Sequence, residues 1–294
     1  MQNIPAFLNY LQYEKRYSVH TIVAYKTDLT QYATYLTKQY ESLLLAAEVS
    51  MIRSWMMTII ESGCSKRSLN RKLSSLRQFY KYLLNNDLIE SNPMLRIVSL
   101  KTDKVLPSYI SKEDMVTLLD TSKFPRDYVG LRDRMIIELF YSTGIRLSEL
   151  INLNISDIDF INKQVKVFGK RSKERIIPLL DSCLERLRNY LKTYKTQFNA
   201  DSNCLFLTEA GNVLYPKLVY RIVNSYLSDV TGVKQKSPHI LRHAFATHML
   251  NDGADLNAIK EILGHSSLTS TQIYTRSSAE RLKEIYKQAH PRGD

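Results

Sequence analysis

Residues 237–248 read Ser-Pro-His-Ile-Leu-Arg-His-Ala-Phe-Ala-Thr-His, a stretch that contains three histidines and one arginine. His239 and His243 stand four positions apart, a spacing that could bind a metal ion on a helix. However, Arg242 lies between them, no glutamate follows the first histidine and no cysteine is near. We therefore expect no metal here and interpret His243 and His248 as structural residues.

Two more segments of the same half carry side chains suited to phosphate chemistry. Residues 142–150 read Ser-Thr-Gly-Ile-Arg-Leu-Ser-Glu-Leu and contain Arg146, and residues 263–267 read Leu-Gly-His-Ser-Ser and contain His265. Tyr274 follows His265 by nine positions. An arginine stays charged and its planar guanidinium matches two phosphate oxygens, so two arginines could replace metal ions in phosphodiester cleavage.

Cleavage of a phosphodiester also requires a nucleophile, a base to take its proton and an acid to protonate the leaving oxygen. A tyrosine hydroxyl has an ordinary pKa of about 10, so it needs such help near neutral pH. One set of side chains supplies all these roles without a cofactor: Arg146, Lys170, His239, Arg242, His265 and Tyr274.

The rest of this half predicts a mainly helical fold with one small hairpin. Two runs, 164–168 and 175–178, are expected to be strands, and the turn between them holds Lys170. Apolar spacing predicts helices over 112–121, 130–143, 147–153, 182–195, 216–230, 240–251, 256–263 and 279–289.

The first half is helical, and residues 65–83 form its most informative pattern. One stripe of this helix is apolar: Leu69, Leu73, Leu76, Tyr80 and Leu83. A different arc, with no acidic residue, holds five basic side chains: Lys66, Arg67, Arg71, Arg77 and Lys81. Such a helix can rest on a core and contact DNA phosphates with its other face, although a merely solvated basic face is the alternative.

Composition indicates what kind of partner the protein binds, and prolines and a helix cap indicate where its domains divide. A net charge of +12, from 41 basic and 29 acidic residues, indicates a polyanionic partner such as nucleic acid. Three widely spaced cysteines argue against disulfides, and the chain has neither a long apolar run nor a secretory signal, so we expect a cytoplasmic protein.

Prolines and a polar run predict a linker over 91–107, after which Ser111 caps a helix. Two domains are predicted, a helical DNA-binding domain over 1–100 and a catalytic domain over 107–294.

The order Arg … Lys … His-x-x-Arg … His … Tyr resembles the signature of the tyrosine recombinase family, and the whole chain is similar to its bacterial Xer branch. The resemblance implies a four-helix core-binding domain and a mainly helical catalytic domain that together close around DNA. It also implies a site-specific recombinase that cuts and rejoins DNA through a 3′-phosphotyrosine, without metal or nucleotide cofactor.

The resemblance assigns each residue a role. Arg146 and Arg242 would clamp the scissile phosphate, and His265 would hydrogen-bond one of its oxygens. Tyr274 would attack the phosphorus, and His239 would handle the tyrosine proton.

On the hairpin, Lys170 would protonate the leaving 5′ oxygen. The family commonly has glycine after this lysine, whereas this chain has Arg171, which puts the hairpin geometry in question and leaves Lys173 as a rival acid. Glu149, three residues after Arg146, would help to orient the site.

The family works as a tetramer on two DNA sites and exchanges its C-terminal segment between neighbours. The stripe of Leu282, Ile285 and Tyr286 within residues 279–290 is therefore the expected exchanged helix. Because the chain starts almost at once with core-binding helices, we expect a recombinase that resolves chromosome dimers at cell division, as a homo- or hetero-tetramer with a related recombinase. Participation of a cell-division DNA translocase stays open, and the alternatives are a mobile-element integrase, a type IB topoisomerase and a non-catalytic DNA-binding protein.

Overall fold

The structure is a computed structural model in which the chain divides into two compact units, Met1–Val105 and Leu106–Asp294, each with its own hydrophobic core. It describes residues 3–102, 110–121, 124–169, 174–198, 202–233, 236–264 and 276–292. The predicted linker therefore lies partly outside the described residues, and its described part contains a 3-10 turn over Pro93–Arg96. Among the helices of the described ranges, none has the length and apolar character needed to cross a membrane.

The N-terminal unit is built from helices joined by short turns. Their bounds are α1 Asn3–Asn9, α2 Val19–Tyr40, α3 Val49–Glu61 and α4 Lys66–Asn85. Ser18 and Ser65 cap α2 and α4, because each hydroxyl accepts a hydrogen bond from a backbone N–H three residues later.

Helix α4 confirms its predicted apolar stripe. All five stripe residues are buried: Leu69, Leu73, Leu76, Tyr80 and Leu83. They share one core with Phe7, Tyr32 and Trp55, and the ring centroids of Tyr32 and Trp55 lie 4.9 Å apart. The opposite side of α4 stays at the surface, where four of the five predicted basic side chains are exposed and Arg77 is half-buried.

The second unit is mainly helical with one small antiparallel sheet, as the sequence predicted. Its helices are α5 Lys112–Val116, α6 Tyr128–Thr143, α7 Leu147–Ile151, α8 Asp181–Phe198, α9 Pro216–Val230, α10 Pro238–Asn251, α11 Leu256–Leu263 and α12 Arg276–Ala289. Its strands are β1 Ile158–Asp159, β2 Gln164–Phe168 and β3 Glu174–Pro178, in the order β1-β2-β3. Ser111 caps α5 in a capping box with Asp114, which confirms the predicted cap.

Gly144 ends the buried helix α6 with a left-handed φ of +59°. A Cβ atom at this position would lie 2.6 Å from side-chain atoms of both Phe245 and Leu263. Only a glycine allows such a close approach in this backbone conformation. The end of α6 therefore meets α10 and α11 directly, and this contact places Arg146 beside the C-terminal end of α11.

The C-terminal helix α12 lies in the core of its own unit. Leu282 and Tyr286 are buried there, and the Tyr286 hydroxyl donates a 2.7 Å hydrogen bond to the Ser142 carbonyl. Ile285 is partly buried against the same core. The three residues predicted to pack on a neighbouring subunit therefore pack, in this single chain, on the hydrophobic core of their own unit.

Candidate active site

Arg146 occupies the turn between α6 and α7, where it is the N-cap of α7. Its backbone N–H and its Nη1 donate hydrogen bonds of 2.8 Å each to the two carboxylate oxygens of Glu149. Its Nη2 donates to the Gly264 carbonyl at 2.8 Å. The side chain stays 31% exposed, so its guanidinium is oriented by the protein and still open to a ligand.

Arg242 lies in α10 and is bound by two carbonyl oxygens. Its Nη2 donates to the Leu263 carbonyl at 2.7 Å, and its Nη1 donates to the Gly144 carbonyl. Burial, together with the positive charges of Arg146 and Arg175, lowers the pKa of Arg242 to about 10. The side chain is still protonated at neutral pH, and the neighbouring charges of Arg146 and Arg175 add to the effect of burial on its pKa.

Glu149 is a buried carboxylate that accepts hydrogen bonds from two of these arginines, Arg146 and Arg175. Arg175, from β3, donates to its two oxygens at 2.9 and 2.7 Å. Burial alone would raise the pKa of Glu149, but the hydrogen bonds and charges of Arg175 and Arg146 outweigh it and lower the pKa to about 2. Glu149 is therefore a carboxylate throughout the physiological pH range.

Three consecutive carbonyls at the end of α11 each accept a hydrogen bond from a different arginine. Arg175 Nε donates to Ile262 at 2.7 Å, and the next two carbonyls accept from Arg242 and Arg146. The last carbonyls of a helix have no partner within it and carry the negative end of the helix dipole, so they suit cations. Gly264 ends the helix with φ +63°, and a Cβ there would lie 3.2 Å from Arg175.

The histidines of α10 fall into two groups. His239 and His243 are exposed on the helix surface. His248 is buried, hydrogen-bonded to the Tyr141 hydroxyl at 2.8 Å and to the Ile110 carbonyl at 3.0 Å, which confirms its structural reading. In the part of the chain that the structure describes, no group of three or more His, Cys, Asp or Glu side chains could hold a metal ion.

Three of the predicted catalytic residues, Lys170, His265 and Tyr274, lie outside the described residues, and so do Arg171 and Lys173. For Lys170 and His265, the residue that directly precedes each one is described and lies close to Arg146. A cavity of about 300 Å³ is lined by residues that include Arg146, Glu149, Phe168 and Gly169, the last of which directly precedes Lys170. Gly264, which directly precedes His265, accepts a hydrogen bond from Arg146.

Sequence reasoning missed Arg175, although a signal for it existed. Strand β3 alternates exposed and buried positions, and Arg175 occupies a buried one, paired in register with Val167. An arginine at an inward-facing strand position must find a partner inside the protein, because an unpaired buried charge is costly. The predicted strand began at this residue, which concealed that its side chain faces inward.

The basic arc of α4 is more internally engaged than the sequence predicted. Arg71 donates to both oxygens of the buried Asp28, at 2.5 and 2.8 Å, and Arg77 donates to the Ile97 carbonyl at 3.1 Å. Lys66 and Arg67, at the start of the helix, are exposed. The five basic residues therefore differ in how freely they could contact phosphate.

The fold and the arginine cluster define a class. Models of the phage integrase family match residues 108–281, and models of its N-terminal SAM-like domain match residues 4–87. The chain belongs to the phage integrase family of tyrosine recombinases and is an enzyme of site-specific DNA recombination.

Curated relatives carry the names of the Xer branch, as the sequence resemblance predicted. Tyrosine recombinase XerC of Chlorobaculum parvum is 39% identical over 312 residues, which cover 97% of this chain and 93% of the relative. Tyrosine recombinase XerD of Staphylococcus haemolyticus is 37% identical over 291 residues, 98% of each chain. The crystal structure of the XerH site-specific recombinase on a palindromic difH substrate has a TM-score of 0.73 at 24% identity, over 90% of this chain and 78% of that chain, and supports the fold.

Proposed function

We propose that the chain cuts and rejoins double-stranded DNA at a specific site through a covalent bond between Tyr274 and a 3′ phosphate. The observation that carries the proposal is the placement of Arg146 and Arg242. Their guanidiniums donate to the carbonyls of Gly264 and Leu263, so two positive charges meet at the helix end that directly precedes His265 in the chain. This arrangement suits a single phosphodiester, whose non-bridging oxygens gain negative charge in the transition state.

The proposed reaction balances without a metal or a nucleotide. The Tyr274 oxygen attacks phosphorus and its proton passes to His239, while the bond from phosphorus to the 5′ oxygen breaks and Lys170 protonates that oxygen. Rejoining reverses these steps: a 5′ hydroxyl attacks the phosphotyrosine and releases Tyr274. The energy of the phosphodiester stays in the covalent bond, so no ATP is consumed.

The nucleophile can be tested by Tyr274→Phe, with Tyr13→Phe, at an exposed position of the N-terminal unit, as the matched control. Nicked suicide substrates should trap the parent enzyme and the control as denaturant-resistant 3′ adducts, in excess EDTA as well as in buffer. Tyr274→Phe should bind the same DNA and form no adduct. An adduct on this variant would disprove the assignment.

The acid can be tested with DNA in which sulfur replaces the 5′ bridging oxygen, because a thiolate leaves without needing a proton. Lys170→Ala should cleave ordinary DNA slowly and sulfur-substituted DNA nearly as fast as the parent enzyme. Arg171→Gly should be close to neutral on both substrates. Selective rescue of Lys173→Ala instead of Lys170→Ala would assign the acid role to Lys173.

We further propose that the enzyme acts in the cytoplasm and resolves chromosome dimers at cell division, in a tetramer on paired sites with itself or a related recombinase. The names XerC and XerD of its relatives support this role. Suicide substrates carrying the terminus-region site of the host chromosome, offered with and without the second recombinase of that host, test it. Adducts only on the ends of a mobile element would show an element-borne integrase.

A further inference from the structure

Arg175 is a buried arginine whose three guanidinium nitrogens all have partners in two different parts of the site. The side chain is 7% exposed, and its Nη1 and Nη2 donate to the Glu149 carboxylate while its Nε donates to the Ile262 carbonyl. Glu149 lies in α7 and Ile262 lies at the end of α11. Arg175 itself stands on β3, five residues after Lys170, so one side chain connects the hairpin to both elements.

The hydrogen bonds of Glu149 show how Arg175 bears on Arg146. Each carboxylate oxygen accepts one hydrogen bond from Arg146 and one from Arg175. With both oxygens shared in this way, the carboxylate has little freedom to rotate, and Arg146 meets it in one orientation. Because Arg175 also takes up part of its negative charge, Arg146 retains more positive charge for a ligand than it would in an isolated ion pair.

The second contact bears on Arg242. The Ile262 carbonyl is the first of the three carbonyls that accept from arginines, and the next two accept from Arg242 and Arg146. A donor bound to the first carbonyl holds the helix end to which the following two residues are attached, and so restrains where their carbonyls lie. Gly264 leaves room for this contact, because a Cβ there would lie within 3.2 Å of the Arg175 side chain.

We infer that Arg175 is a positioning residue for strand cleavage: it holds Glu149 and the end of α11 so that Arg146 and Arg242 point together at the scissile phosphate. This inference rests on the proposed role of those two arginines. It predicts that the loss of Arg175 impairs the neutralisation of charge on the phosphate, and not merely the stability of the domain. A substrate that carries less charge at that phosphate separates the two effects.

The experiment compares Arg175→Met with Arg132→Met in single-turnover cleavage. Arg132 is a matched control, because it is also buried in the same unit and donates to one carboxylate, Asp133, and to one carbonyl, Leu207. It lies in α6, about 18 Å along the helix from Gly144 at 1.5 Å per residue. Each variant is measured relative to the parent enzyme on a suicide substrate with a normal scissile phosphate and on one with a methylphosphonate, in which a methyl group replaces a charged oxygen.

Arg175→Met should cleave the normal substrate about 100-fold more slowly than the parent, and the methylphosphonate less than about 10-fold more slowly. Any loss in Arg132→Met should be the same factor on both substrates. An equal factor on both substrates for Arg175→Met, or no loss at all, would overturn the inference. If thermal unfolding shows that Arg175→Met does not fold, Arg175→Lys replaces it, because lysine keeps the charge but cannot make all three contacts. The inference is then tested by comparing the loss of rate on the normal substrate with the loss on the methylphosphonate.

Arg146→Ala on the same two substrates separates this inference from the proposed function. Rescue of Arg146→Ala by the methylphosphonate, without rescue of the Arg175 variants, means that the phosphate clamp is correct and that Arg175 does not position it. If Arg146→Ala is not rescued either, the assignment of the clamp itself is wrong.

Discussion

Each unit of the molecule contains a buried carboxylate that binds two basic side chains. The two resulting clusters differ in their net positive charge. In the N-terminal unit, Asp28 is fully buried and accepts from Arg71, Lys72 and the Ser75 hydroxyl. In the second unit, Glu149 accepts from Arg175 and Arg146. Both carboxylates orient an arginine that is partly exposed, Arg71 at 49% and Arg146 at 31%.

The difference lies in what else binds the arginines. Around Glu149, a third arginine is present, and the additional acceptors are backbone carbonyls at the end of α11 rather than a second carboxylate. A carbonyl fixes the direction of a guanidinium without cancelling its charge. Among the residues that the structure describes, this cluster contains three arginines and one carboxylate, an excess of two positive charges in a fixed geometry. Around Asp28, two cations face one carboxylate, and the excess is one.

The largest expected effect separates the two exposed arginines by rate. Arg146→Ala should slow single-turnover formation of the covalent adduct by about 10³-fold at saturating DNA, because it removes the donor proposed for the transition-state phosphate. Arg71→Ala should leave that rate within about threefold of the parent, since Arg71 does not belong to the arginine cluster around Glu149 and a phosphate contact outside that cluster should affect binding only. Similar losses for both variants at saturating DNA would contradict a distinction between a catalytic cluster and a binding cluster.

Acid should remove the contribution that Glu149 makes to the free energy of unfolding. Its pKa is lowered to about 2 in the folded chain, so its stabilisation is complete above the unfolded value of about 4.3 and is lost as the pH falls toward 2. The full loss amounts to about 3 kcal/mol. The difference in unfolding free energy between the parent and Glu149→Gln should therefore narrow from pH 5 downward.

Urea denaturation followed by circular dichroism can measure this difference. Tryptophan fluorescence is unsuitable, because the single tryptophan, Trp55, lies in the N-terminal unit. If the difference in unfolding free energy stays constant between pH 7 and pH 3, then Arg146 and Arg175 do not lower the pKa of Glu149 in the folded chain.

The smallest expected effect compares two basic residues of α4. Arg67 is exposed, whereas Arg71 is already bound to Asp28. Arg67→Ala should lower the slope of log affinity against log salt concentration by about 0.9, the value for one lost phosphate contact. Arg71→Ala should lower it by less than half of that. Binding of a duplex of unrelated sequence across a salt series gives both slopes, and equal slopes for the parent and Arg67→Ala would mean that the basic face is merely solvated.

Helices, caps and strands were predictable because they depend on residues that are neighbours in the chain. The stripe of α4 and the cap at Ser111 involve spacings of three and four residues, and both are present as predicted. Both predicted strands are present, although β3 begins one residue earlier, at Glu174, and the two-residue strand β1 was not predicted. Helix α7 is shorter than predicted and ends at Ile151, before the predicted end at residue 153.

The sequence by itself determined which elements form and which side chains are chemically suited to a phosphate, since hydrophobic periodicity, capping and residue type are local properties. Only the tertiary structure decided the partners. Arg175 meets Glu149 across 26 residues, Arg71 meets Asp28 across 43, and Arg146 meets Gly264 across 118. A buried charge requires a partner, but the packing of distant elements selects which one, and at Gly144 and Gly264 that packing depends on the absence of a side chain.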